Sequence, residues 1–334
     1  MLMDTNEMQQ LFFNHIKSKL PVHLSFVDEV AELLNISNDS AYRRIRGEKT
    51  IGLDEIQILC NKYQVSLDQF LQINSNTVIF SGNRVNHSTF GFDKYLKELV
   101  TNLEFFNKLS NPQLFFITKD IPIFHFMHFP ELSAFKFFFW KRTILGYPDL
   151  ARQQFHGEES DEETAKAAKN IIDLYCKISS TEIWIEESIN ITIKQIEYCK
   201  AANIFANKHI LLKVYLQLEE LMNHMELQAE AGKKFLYGQS PSSQASSFDI
   251  YLNECLIGDN TIFVQGGDRQ ITFLNHNGLN ILATQDKGFC EFTFKNVQNT
   301  IKKSTHLSVV GEKERSMFFN ILRGKIYDQK KKLM

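Results

Sequence analysis

The stretch ISNDSAYRRIRGEKT, residues 36–50, gathers Arg43, Arg44, Arg46 and Lys49 around Tyr42, with Ser37 before them and Gly47 after. A guanidinium is a rigid fork of donors that suits paired acceptors such as the oxygens of a phosphate. Asn38 and Asp39 add an amide and an acceptor at the start of the same segment. Such crowding in so short a span has two readings. One is a solvated helix face; the other is a surface shaped to lie against nucleic acid.

The other chemistry-bearing residues are dispersed. His125 and His128 form an HxxH pair with no carboxylate at helical spacing, and they read as satisfied histidines among phenylalanines rather than metal ligands. The acidic run EESDEET, 158–164, reads as the dipole-matched start of a helix. Gly266-Gly267-Asp268 lacks the spacing of a phosphate loop and fits a hairpin turn. The five cysteines (Cys60, Cys176, Cys199, Cys255, Cys290) are odd in number and form no CxxC pair, as expected of thiols in a reducing compartment. No GxSxG, HExxH or Walker-type motif occurs, so no catalytic constellation, cofactor or metal is expected. Phe135, Phe138, Phe139 and Trp140 offer walls for a ligand pocket, but a buried central helix is the simpler account.

These residues need elements to position them. The chain has 334 residues, 43% of them hydrophobic, which suggests two domains with ample core. Gly and Pro number only 15 and 6, against 29 Phe, which argues for a largely helical protein with an aromatic core. The net charge of −2 argues against a protein that coats nucleic acid through an overall basic surface. Over 1–75, seven Lys and Arg stand against ten Asp and Glu, so any contact with nucleic acid must come from a local patch.

Residues 1–73 read as a run of short helices. The first, near 4–19, carries Leu11, Phe12, Ile16 and Leu20 at helical spacing and is ended by Pro21. Ser25 and Asp28 form a capping-box pair for a helix over 26–34, which buries Val27 or Val30 with Ala31 and Leu34. Asn35-Ile36 make a tight turn, Ser37 caps the next helix and Gly47 ends it. A fourth helix, 53–63, turns Leu53, Ile56 and Leu59 or Cys60 to one side. Ser66 and Gln69 cap a last helix through Leu71. Residues 74–90 read as a linker rich in Asn and Ser.

From 91 to 334 a helical region leads into an antiparallel β-meander with flanking helices. Helices are expected at 92–109, 131–145, 162–178, 188–206 and 208–235, with a strand at 113–118. The helix 208–235 carries a seam of Leu211, Val214, Leu218, Leu221 and Met225. That seam serves either an intramolecular bundle, the simpler reading, or a second subunit. The turn pairs Asp259-Asn260, Gly266-Gly267 and Asn277-Gly278 punctuate the meander. A helix at 288–303, a strand at 306–310 and a helix at 312–330 follow.

Residues 25–71 resemble the lambda-repressor/Cro-like helix-turn-helix family. The matching features are Ala31 and Leu34 on the second helix, the turn Asn35-Ile36-Ser37, Ala41 and Ile45 on the inner side of the third helix, Gly47 after it, and the closing VSLDQFL. The match departs at SFVDEV, which has no glutamine where many members brace a base-reading residue. The chain as a whole reads as mainly α with an α+β C-terminal part; the resemblance implies that it opens with a five-helix DNA-binding domain whose third helix (37–46) enters the major groove. It also implies that Ser37, Asn38, Asp39, Tyr42, Arg43, Arg44, Arg46 and Lys49 face DNA. Asn38, Asp39, Tyr42 and Arg43 match positions that read bases, Arg46 and Lys49 positions that touch phosphate. Arg44 is expected either as a flank phosphate contact or in a pair with Glu48.

The expected function is therefore sequence-specific binding of double-stranded DNA by a cytoplasmic transcriptional regulator with no membrane partner. The regulator is expected to be a homodimer, and its 91–334 domain to dimerise or to sense a small-molecule or protein effector. Two alternatives share the sequence: a scaffold that docks protein through the helix-turn-helix, and an enzyme with an appended DNA-binding module.

Overall fold

The computed structural model describes residues 4–17, 20, 24–63, 65, 67–71, 77–158, 161–255, 260–276 and 278–333. They divide after Ile79 into two compact units. Pro21, Ser66, Asp259, Asn277 and the Gln69 side chain, which carry expected stops, caps and turns, lie outside the described residues.

The first unit holds α1 (Thr5–Lys17), α2 (Phe26–Leu34), α3 (Asn38–Ile45), α4 (Leu53–Tyr63) and α5 (Leu67–Leu71). Its core contains Phe12, Phe13 and Ile16 from α1, Phe26, Val30 and Ala31 from α2, Ala41 from α3 and Leu59 from α4. Two expected core residues face solvent instead: Leu11 is 43% exposed, and Leu53, the first residue of α4, is 81% exposed. Ser25 has the extended backbone of an N-cap but its side chain makes no capping bond. The expected capping box is not formed, and the Asp28 carboxylate instead accepts from Asn38 of α3.

The second unit is built on one mixed sheet of seven strands: β1 (Gln113–Ile117), β2 (Ser179–Trp184), β3 (Phe248–Leu252), β4 (Thr261–Gly266), β5 (Arg269–His276), β6 (Asn280–Thr284) and β7 (Thr305–His306). Their order is β6-β5-β4-β1-β2-β3-β7. The expected meander is present as β4-β5-β6, all antiparallel. It is only one side of the sheet, however, since β1, β2 and β3 run parallel to one another. The sequence carries no strand signal over β2. Four of its six residues are buried, and a strand covered on both faces loses the polar-apolar alternation that marks an exposed one.

Helices α6 (Phe92–Asn107), α7 (Ile123–Phe126), α8 (Pro130–Phe139), α9 (Glu162–Tyr175), α10 (Asn190–Ala201), α11 (Lys208–Ala231), α12 (Lys287–Lys302) and α13 (Glu312–Lys331) complete the unit. Successive strand residues point to opposite faces. Leu114, Phe116 and Val264 therefore pack with α6 and α9, while Phe115 and Phe263 pack under Cys290 and Val297 of α12. The seam on α11 is consumed internally: Val214, Leu218, Leu221 and Met225 are fully buried in one cluster with Phe135 of α8 and Phe319 and Leu322 of α13. Residues 80–90, expected in the linker, are docked on the edge of β6. Ser81 and Ala283 exchange backbone hydrogen bonds of 2.8 and 2.7 Å, and the Val85 N–H donates to Asn280 Oδ1. Among the described residues no helix is long and apolar enough to cross a membrane.

Glu182, in the middle of β2, is fully buried. Its carboxylate accepts from His125 Nε2 at 2.9 Å, from Trp184 Nε1 at 2.9 Å and from the Tyr175 hydroxyl. Burial pushes its pKa up, but His125, Tyr175 and nearby Lys234 outweigh that and hold it below the usual range. Lys234 is 2% exposed; its ammonium lies 3.3 Å from the centre of the Tyr175 ring and donates to the Tyr175 carbonyl. Burial lowers its pKa to about 7 despite Glu182. Next to this group His224 is 3% exposed, and burial, then the proximity of His125, lower its pKa to about 4.

A histidine whose folded pKa is depressed stays neutral in the fold while the unfolded chain takes up a proton. The stability it allows is complete above about pH 6.5 and is lost as pH falls toward 4. At pH 5 the loss from His224 is about 2 kcal/mol. Thermal unfolding of the whole chain is expected at a lower midpoint at pH 5 than at pH 7, with a smaller drop in His224→Gln; an equal drop in both proteins rules out this origin.

Candidate nucleic-acid interface

The turn before α3 is set by Asn35, which ends α2 in the left-handed conformation (φ 52°, ψ 49°) that asparagine tolerates better than most residues. The Ile36 N–H donates to the Ala31 carbonyl at 3.0 Å. Ala31 itself is 5% exposed, and its small side chain leaves room for the α2–α3 crossing. Ser37 is the N-cap of α3: its backbone is extended and its hydroxyl accepts from the Ser40 N–H at 3.3 Å. At the other end Gly47 has φ +74°, and a Cβ there would meet the Asn6 carbonyl oxygen at 3.1 Å. Only glycine suits both the conformation and the close approach of α1.

α1 also ties down the end of α3. Buried Gln9 donates to the carbonyls of Arg44 (2.7 Å) and Lys49 (2.8 Å) and accepts from the Ile51 N–H. Gln10 donates to the Arg46 carbonyl at 2.6 Å. These bonds hold the end of α3 and the segment after it against α1.

The inner side of α3 is Ala41, fully buried, the half-buried Ile45, and Arg44. Arg44 corrects the expectation that it contacts DNA or pairs with Glu48. It is 7% exposed, and its guanidinium grips Glu55 of α4 through both nitrogen positions: Nε to Oε2 at 3.0 Å and Nη2 to Oε1 at 2.8 Å. Nη1 donates to the Ser40 hydroxyl at 2.6 Å. Burial raises the Glu55 pKa, but the Arg44 and Gly52 hydrogen bonds more than offset this and keep it ionised. Glu48 pairs instead with Arg46, at 3.3 Å.

The outer side presents Asn38, Asp39, Tyr42, Arg43 and Arg46, all exposed, with Lys49 just beyond the helix. Arg46 lies over the Tyr42 ring, 5.5 Å from its centre, and donates to the Tyr42 hydroxyl at 3.3 Å. Asn38 Nδ2 donates to Asp28 Oδ1 at 2.8 Å, so α2 does brace the start of α3, through an aspartate. That bond takes one amide hydrogen and leaves Asn38 an acceptor and a donor side by side. Arg43 makes no side-chain ion pair or hydrogen bond among the described residues.

Sequence reading missed Gln9, Gln10 and Glu55, and gave Asp28 a different role. Their partners lie 35, 36, 11 and 10 residues away, so no local spacing marks them. The other candidates resolve as structure. His125 belongs to the Glu182 network, Phe135 and Phe139 are buried core, and Asp161 caps α9 through Thr164 and the Glu163 N–H. Compared with family models, with curated proteins and with solved structures, the chain matches none.

Removing one member of a buried ion pair leaves the other uncompensated. Arg44→Ala is expected to cost about 2–4 kcal/mol in urea unfolding followed by helix circular dichroism, whereas Arg43→Ala should stay within about 0.5 kcal/mol of the parent. Equal effects of the two would contradict the division of α3 into an inner and an outer side.

Proposed function

We propose that this protein is a sequence-specific DNA-binding transcriptional regulator, whose first unit is a five-helix lambda-repressor/Cro-like domain that inserts α3 in the major groove. One observation carries the reading. The polar residues of α3 divide into Arg44, neutralised inside, and an outward set held in place yet still holding free donors and acceptors. Asn38, with one hydrogen committed to Asp28, keeps the acceptor–donor pair that matches adenine N6 and N7. Arg43 suits guanine O6 and N7, and Asp39 suits the cytosine amino group. Arg46 and Lys49 suit phosphates, as do the backbone N–H groups at the start of α3 beside Ser37.

The excess of acids over bases in 1–75 leaves each copy few phosphate contacts. Tight binding then calls for a homodimer on two half-sites. The second unit serves dimerisation or the sensing of a small-molecule or protein effector in the cytoplasm. We propose no catalytic step for it.

The test is selection of bound fragments from random duplex DNA, followed by salt titration of the best fragment. Arg43→Ala is expected to weaken binding by about 1–3 kcal/mol and to relax one base position. Arg46→Ala should weaken all sequences alike and lower the salt slope by about one. If no sequence is enriched, or neither variant changes affinity, α3 is not the reading helix.

A further inference from the structure

α13 lays Phe318, Phe319, Leu322 and Ile326 into the core, where they meet α11. Its opposite face is left uncovered within the second unit among the described residues: Met317 is 56% exposed, Ile321 38% and Tyr327 53%. Between them stands Gly324, in the helix interior, where glycine costs helix stability relative to alanine. A Cβ at Gly324 would meet nothing within 4 Å, so no contact among the described residues requires the glycine. Met317, Ile321 and Gly324 follow the helical spacing of three and four and form one stripe. Glycine on such a stripe lets another backbone come close.

Charges of both signs lie along the same helix, with exposed Lys313 between Glu312 and Glu314 at its start and exposed Asp328 toward its end. Near its start a groove of about 310 Å³ opens between α11 and α13, lined by Glu226, Leu227, Glu230, Glu312, Arg315 and Ser316 with Asn223. Glu226 is paired with Arg323, and Arg315 turns inward to the Leu307 carbonyl. Glu230 and Glu312 are exposed and make no ion pair among the described residues. At the far end Lys331 and Lys332 are exposed. Ser316 in the groove and Lys332 lie equally far from Gly324, on opposite sides.

We infer that α13 is the dimer interface: two copies pair their α13 helices antiparallel across a two-fold axis at Gly324. The axis brings Ile321 against the partner's Tyr327 and Met317 against the stem of the partner's Lys331. The partner's Lys332 then reaches the groove beside Glu230 and Glu312. A two-fold contact must be self-complementary, and this surface is, since each copy offers an acidic groove and a basic end. Antiparallel helix dipoles favour the same arrangement. The pairing supplies the second copy that half-site binding calls for, but it stands on α13 alone.

The test is the mass of the full chain by sedimentation equilibrium without nucleic acid, so that it succeeds or fails independently of DNA binding. The expected mass is twice the 38.8 kDa of one chain at tens of micromolar. Gly324→Leu adds bulk where the single chain has open space, and should weaken the dimer by roughly tenfold or more with an unchanged circular dichroism spectrum. The double variant Lys331→Glu, Lys332→Glu should weaken it as well, and adding Glu230→Lys with Glu312→Lys should restore it. A monomer at these concentrations overturns the proposal. So does a dimer that Gly324→Leu leaves equally tight, or a charge exchange that restores nothing.

Discussion

Arg44 sits in the last turn of α3 with its guanidinium turned into the protein, and that placement governs what the helix can show to solvent. A charge inside a small helical unit is tolerated only when paired and hydrogen-bonded. Glu55 from α4 supplies two carboxylate oxygens, Ser40 a hydroxyl, and Gln9 from α1 takes the Arg44 carbonyl. Three helices thereby converge on one residue and set the rotation of α3 about its axis. Ala41 and Ile45 go inward with it, and Asn38, Tyr42 and Arg43 go outward. Two neighbouring arginines of the same chemistry thus have opposite fates, one structural and one available.

The second unit uses the same device at larger scale. Glu182 is a carboxylate on a central strand, where apolar side chains would be expected, and its partners come from α7, α9 and β2 itself. Lys234, from the segment after α11, adds a buried positive charge beside the Tyr175 ring. A buried network of this kind stabilises only while every member is present. It therefore couples the register of β2 to the positions of the elements around it, and it does so beneath a surface that has other uses: the edge of β6 holds residues 80–90, and α13 keeps an apolar face outward.

Much of the fold was legible for local reasons. Ser37 and Gly47 bracket α3 because capping and left-handed backbone are properties of single residues. The β4-β5-β6 hairpins were legible from turn residues between β-prone runs. Other parts had no local mark. β2 carries a glutamate amid apolar neighbours and is covered on both faces, so neither alternation nor composition identified it. The parallel pairing of β1, β2 and β3 depends on long helical crossovers, so the paired strands lie far from one another in sequence. The Ser25–Asp28 capping box was plausible by spacing, but Asp28 accepts from Asn38, ten residues on, and Ser25 makes no capping bond.

At the candidate interface, the amino-acid sequence by itself determined that 37–46 is a short capped helix with one apolar side and a dense set of donors on the other. Periodicity and capping are local, and a single chain segment expresses them. Only the tertiary structure decided how those donors divide. The partners of Arg44 and Asn38 come from other helices, and desolvation by the packed core turned one arginine into a strut. The same distinction holds for α11, whose seam was plain in sequence. That the seam is filled from within the chain, leaving the outer stripe of α13 open, follows from which surfaces meet when the helices pack.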